Sequence, residues 1–166
     1  MSLSHPSLVV APASSDTDVQ CACDIMVEAA DWLIASNQPL WNPENLVPDK
    51  IRPSPENGSL LLARLAGQPV GAYVLLFEDP LFCPNASPGE ALYLHKLAVR
   101  RCVARIGLGR SLLDDAVARA RAHRPLLRLD CAPRPKLCAF YESAGSCIIP
   151  MGPSVSSLFG DINDRP

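Results

Sequence analysis

Apolar positions recur along this chain with two periods, one helical and one alternating. Val19, Ile25, Met26, Ala29, Ala30, Leu33 and Ile34 fall at helical spacing. Ser14, Ser15 and Asp16 precede them as N-cap types, so the pattern predicts a helix from there to about Ser36. Ser7-Leu8-Val9-Val10-Ala11 reads as a short strand before it. From Asn37 to Ser59 five prolines (Pro39, Pro43, Pro48, Pro53, Pro55) exclude a long regular element, leaving a loop with room for one helical turn.

Leu60–Leu65 and Val70–Phe77 flank Ala66-Gly67-Gln68-Pro69 and read as an antiparallel hairpin. A second Pro-rich stretch, Asp79–Gly89, precedes a third central strand over Ala91–Val99. Leu108, Leu112, Leu113, Ala116, Val117 and Ala120 form the buried stripe of a helix running from Gly107 to about His123. Leu126–Cys131 is a strand, and a helix follows with Pro135 in its first turn and Gly145 as its stop. Cys147-Ile148-Ile149 and, more weakly, Val155–Phe159 complete the strands. The order β-α-β-β-β-α-β-α-β predicts an α+β fold on a mixed sheet, with residues 1–166 as one domain.

Composition narrows the function classes. With 48% hydrophobic and 19% charged residues in 166, the chain has too much apolar material to stay unfolded. A net charge of −2 sets up no broad field for a phosphate backbone, so no nucleic-acid partner is expected. No apolar run reaches the roughly 20 residues of a membrane span, and the first residues lack the basic and apolar regions of a signal peptide. No membrane partner and a cytoplasmic location are the expectation. Seven cysteines with one C-x-C and no C-x-x-C fit neither a zinc site nor a disulfide framework; they read as reduced, buried thiols, and no metal is expected.

Chemistry concentrates after the strand Ala91–Val99, in Ala104-Arg105-Ile106-Gly107-Leu108-Gly109-Arg110-Ser111. Two glycines at a helix start leave main-chain N–H groups uncovered at the positive end of the helix dipole, a geometry suited to a pyrophosphate. Arg105 and Arg110 beside that end are unfavourable unless an anion lies between them. A tight turn into a packed helix explains a lone G-x-G equally well. Arg110-Ser111 after Gly109 excludes a P-loop, and Leu112 stands where a dinucleotide fingerprint needs its third glycine. No G-x-S-x-G elbow marks a hydrolase.

Leu97-Ala98-Val99, the loop Ala104–Gly109, and Ala139-Phe140-Tyr141-Glu142-Ser143-Ala144-Gly145 stand in the order and approximate spacing of the GNAT superfamily of N-acetyltransferases, which the chain resembles from about Val9 to Ile149. The resemblance implies a mostly antiparallel central sheet flanked by helices and splayed at a slot for acetyl-CoA, the cosubstrate. It places the pyrophosphate on Ala104, Arg105, Ile106, Gly107, Leu108, Gly109, Arg110 and Ser111, and the pantetheine arm along Leu97, Ala98 and Val99. Lys136 and Phe140 of the later helix complete the cofactor set. Departures from the family pattern are Ala104, the Arg105-Ile106 pair in place of a glycine-containing one, Arg134 and Ser146. Tyr141 matches the tyrosine that protonates the departing thiolate; it reads otherwise as a core tyrosine beside Phe140 and Leu137.

An acceptor amine must lose a proton, so a base is expected near the slot. His95 is the candidate, and strand alternation predicts Tyr93, His95 and Leu97 on one face. A structural histidine hydrogen-bonded in the sheet is the competing reading. Glu78 and Asp79 are the next candidates for base or amine anchor, with Asp130 behind them. Trp32, Trp41 and the two Pro-rich segments are expected to border the acceptor side, where Glu78, Asp79 and Glu90 favour a cationic amine and Trp41, Leu81 and Phe82 an apolar group. The expected partners are thus a small-molecule or peptide amine and, through exposed strand edges near the C-terminus, a second copy in a homodimer. A non-catalytic acyl-CoA-binding module is the alternative function.

Overall fold

The computed structural model describes residues 7–145, 147–150 and 156–161. The expectations placed on Ser146 and Val155 lie outside these residues. The strands are β1 (Leu8–Pro12), β2 (Gly58–Leu65), β3 (Gln68–Leu76), β4 (Ala91–Val99), β5 (Leu126–Cys131), β6 (Cys147–Pro150) and β7 (Ser156–Asp161). The helices are α1 (Asp16–Ala35), α2 (Pro48–Ile51), α3 (Leu108–Arg121) and α4 (Pro135–Ser143), with single 3-10 turns at Pro43–Asn45 and Arg101–Val103. The strands form one sheet in the order β1-β2-β3-β4-β5-β7-β6. Only β4 and β5 run parallel; every other pair is antiparallel.

Local chemistry sets the boundaries. Ser15 caps α1 through a capping box: its hydroxyl accepts from the Asp18 N–H, and the Asp18 carboxylate accepts from the Ser15 N–H. The β2–β3 hairpin turns on Ala66 and Gly67, with φ of 50° and 80°. Two consecutive positive φ values match the twist of the flanking strands and give a two-residue loop tighter than the predicted four-residue one. In the Pro-rich 37–59 segment, Pro43 and Pro48 each occupy the first position of a short helical turn, where the missing N–H costs nothing.

The sheet buries both faces. Leu60, Leu62, Ala72 and Val74 pack with Val19, Ile25, Met26 and Ala30 of α1. Leu61, Ala63, Tyr73, Leu75, Leu92 and Leu94 pack with the stripe of α3, Leu112, Leu113, Ala116 and Ala120, and with Tyr141 of α4. A Cβ at Gly71 would lie 2.6 Å from Leu112 Cδ1, so a glycine in β3 is what lets α3 seat this closely. Cys21, Cys23, Cys83, Cys102, Cys131 and Cys138 are free thiols; Cys23 and Cys131 are buried and Cys102 is exposed.

Two features of β4 position everything that follows. Pairing with β5 runs from Ala91↔Leu126 to Leu94↔Leu129 and stops there, so the β5-side edge of His95–Val99 has no partner strand among the described residues. Against β3 the register shifts between Val74↔His95 and Ala72↔Ala98, with Lys96 at φ 54°. This is a β-bulge, one extra residue on β4, and it reverses the alternation beyond it. Leu97 and Val99 therefore pack on the α3 side like Leu92 and Leu94, whereas His95 lies opposite Val74 on the α1 side. The expected sharing of one face by Tyr93, His95 and Leu97 is corrected accordingly: Tyr93 and His95 share it, and Leu97 is on the other.

Candidate active site

The loop between β4 and α3 is built around exposed main-chain donors. Arg105 and Gly107 both have positive φ, 70° and 87°, and Gly107 caps α3 with no side-chain hydrogen bond. The first bond across the helix start is from the Ser111 N–H to the Gly107 carbonyl. The N–H groups of Arg105, Ile106, Gly107, Leu108, Gly109 and Arg110 thus have no acceptor among the described residues. The protein leaves a row of donors at the positive end of a fourteen-residue helix, which is the donor set a pyrophosphate needs. Nothing lies within 4 Å of where a Cβ at Gly107 would stand, so backbone conformation, not lack of room, requires glycine there.

Long-range contacts fix this loop. The Glu28 carboxylate, on α1, accepts from Arg100 Nη1 at 2.8 Å and from the Arg101 N–H at 2.7 Å. The Arg101 guanidinium lies 3.7 Å over the Trp32 ring. Trp32 thus braces the β4–α3 turn and does not line the cavity described below. The Phe140 ring of α4 stands where it would touch a Cβ at Gly109, and it meets Tyr141 edge-on, ring centroids 5.0 Å apart. The Arg110 side chain is held by Asp114 (3.0 Å) and the Ser143 carbonyl (3.2 Å), so what it offers an anion is its main-chain N–H. The Ser111 hydroxyl bonds back to the Gly107 carbonyl, the Ala104 N–H is taken by the Arg101 carbonyl, Ile106 is exposed, and Lys136 is exposed near the start of α4.

At the fork between β4 and β5 the ionisable groups converge. His95 and Asp130 are the first residues beyond the last paired positions, Leu94 and Leu129. His95 Nε2 is 2.9 Å from Asp79 Oδ2, and Nδ1 is 3.4 Å from Asp130 Oδ1. The first approach is close but bent: the ring N–H points off the line to the carboxylate. Asp79, 7% exposed, also accepts from the Phe82 N–H. Burial pushes its carboxyl up, but His95 and the N–H groups of Phe82 and Leu81 outweigh this and hold it below the ordinary carboxylate value. Asp79, His95 and Asp130 bring one ligand-type atom each within 4.8 Å of one another, the one such trio among the described residues. Tyr141 is 8% exposed; burial first, then the neighbouring Cys131 and Asp130, drive its phenol well above the ordinary value, so it stays protonated.

A cavity of about 480 Å³ opens on the α1 side, between α2, the end of β3 and the β4 bulge, and reaches His95 and Lys96. Glu78 lines it; Trp41 does not, and instead packs half-buried against the α1 core. Glu90, an expected anchor for a cationic amine, is committed to Arg128 and to the Ser87 N–H. Sequence reasoning passed over Glu28, Lys50 and Lys96. The dibasic Arg100-Arg101 after β4 called for a carboxylate, but nothing local says that α1, 72 residues away, provides it.

The chain belongs to the acetyltransferase (GNAT) family, whose model matches residues 26–145. Acetyl-CoA is the cosubstrate of that family, and the donor row and open strand edge described above fit it. One solved structure of similar fold is a GNAT-family acetyltransferase of Listeria monocytogenes (20% identity, 93% of this chain and 94% of that chain, TM-score 0.76). Another is the PaiA N-acetyltransferase of Thermoplasma acidophilum in complex with coenzyme A (15%, 93% and 99%, 0.72). A third is a GNAT-family acetyltransferase of Elizabethkingia anophelis with acetyl-CoA bound (17%, 93% and 97%, 0.63). No curated protein matches the sequence.

Proposed function

We propose that the protein transfers an acetyl group from acetyl-CoA to a primary amine by direct attack, with Tyr141 as general acid and His95 as general base. The observation that carries this reading is the fork: His95 and Asp130 face each other where β4 and β5 part, with Tyr141 beside the same end of β5. The bound thioester supplies an activated acyl carbon. The N–H groups of residues 105–110 hold the pyrophosphate, assisted by the Arg105 charge, and the free edge of β4 at Leu97–Val99 aligns the pantetheine. Asp79 orients the imidazole through Nε2, leaving Nδ1 toward Asp130 to take the proton of the incoming amine, directly or through one water. Tyr141 Oη gives its proton to the leaving sulfur. The low-dielectric surroundings that raise its own pKa raise the basicity of a thiolate there too, so the transfer is not disfavoured by burial.

The test is amine-dependent CoA release, measured on the wild type and on Tyr141→Phe after calorimetric titration with acetyl-CoA. Removing a general acid should lower kcat about a hundredfold while acetyl-CoA affinity changes less than about twofold. Equal turnover of the two proteins would take Tyr141 out of the chemistry. Binding without release from any amine would identify a non-catalytic acyl-CoA-binding module instead.

A further inference from the structure

The cavity that meets His95 holds three charged side chains, Lys50 from α2, Glu78 after β3, and Lys96 on the β4 bulge. Six arginines, Arg52, Arg64, Arg100, Arg110, Arg119 and Arg128, each meet a carboxylate. The cavity lysines do not. Lys50 Nζ is held by the neutral Asn45 side chain at 2.7 Å, and neither Lys96 nor Glu78 has an ion-pair partner among the described residues. Lys96 takes this place at φ 54°, a conformation unfavourable for a residue with a Cβ, and a bulge re-aims a side chain next to a site.

We propose that the acceptor is a small amino acid-type molecule, carrying a carboxylate beside the amine that receives the acetyl group. Lys50 and Lys96 hold its carboxylate, and Glu78 draws in its ammonium before the proton is lost. Two cations and one anion on the cavity wall match a zwitterion in kind. Ile51, Val74 and Leu76 supply an apolar wall for an aliphatic or aromatic side chain, and about 480 Å³ is the size of a small-molecule site, not a peptide groove. This inference rests on the acetyl-transfer reading and names its substrate class.

The experiment compares pairs that differ only by the carboxylate, lysine with cadaverine and phenylalanine with phenethylamine. Each is measured twice: as calorimetric binding to the CoA-saturated protein, and as kcat/KM for CoA release from acetyl-CoA. The amino acid of at least one pair should be preferred about tenfold in both, the scale of one additional charge-assisted hydrogen bond. Lys50→Gln and Lys96→Gln should each remove most of that preference, and Lys50→Glu should turn it toward the diamine. Lys50→Gln lies on an exposed turn, and unchanged acetyl-CoA affinity would show that the variant is folded. Amines that drive CoA release as efficiently as their amino acids, or a preference that survives both glutamine variants, would overturn the inference and leave acetyl transfer standing. Binding of the amino acids that requires Lys50 and Lys96 but brings no CoA release would keep the carboxylate site and remove the transfer reading, and with it the acceptor role.

Discussion

His95 meets a carboxylate at each ring nitrogen, and the two are not equivalent. Asp79 is buried and 2.9 Å away, whereas Asp130 is 3.4 Å away across the fork. Because Asp79 is held below its ordinary value of 3.8, the folded protein binds fewer protons than the unfolded chain at acid pH. Its contribution to stability is therefore complete above that value and lost as pH falls through the lower folded one. Asp79→Asn should lower the melting temperature at pH 7, and the gap to wild type should narrow as pH falls below about 4. A gap that stays constant across a pH series of thermal melts would mean that Asp79 ionises alike in both states. His95, Asp79 and Tyr141 were all legible in the sequence as candidates. Their mutual geometry was not, because the Asp79–Gly89 segment gives no periodic signal for the direction in which Asp79 turns.

The β4–α3 unit is where the backbone is worked hardest. Gly107 at φ 87° has open space around its missing side chain, so Gly107→Ala should cost about 1 kcal/mol through conformation alone. In a domain of this size that appears as a fall of about 2–4 °C in melting temperature. Arg105 stands at φ 70° without being glycine. Arg105→Asn keeps a residue that tolerates this conformation and removes the charge. Its stability should equal or exceed wild type while the Kd for CoA rises about tenfold, through loss of one charge-assisted phosphate contact. A Kd unchanged by calorimetry would leave the pyrophosphate to the main chain. The strand and helix boundaries of this unit were predicted almost to the residue, since apolar runs and a G-x-G start are local signals. The bulge at Lys96 was missed because the alternation Leu92, Leu94 on one face and Leu97, Val99 on the same face breaks period by one residue, which reads in sequence as an ordinary apolar strand.

At the scale of the whole molecule, the proposed cosubstrate site draws on elements distant in the chain: α1 through Glu28 and Trp32, the β4 edge, the start of α3, and α4 through Phe140 and Tyr141. A ligand that binds only this assembled state stabilises it by mass action. At about one hundred times its Kd, acetyl-CoA should add about 2.7 kcal/mol, a rise of roughly 5–10 °C in melting temperature by scanning fluorimetry. No rise would remove cosubstrate binding, and with it both functional readings. Hydrophobic period, capping and turn chemistry act between near neighbours, so residue order alone determined the elements, the α+β class and the G-x-G helix start that pointed to the family. Which carboxylate reaches His95, which acid braces Arg100 and Arg101, which face Leu97 takes, and that Lys50, Glu78 and Lys96 share one cavity were decided only by the tertiary structure. Those contacts join residues remote along the chain, and packing, register and a single bulge, not local preference, bring them together.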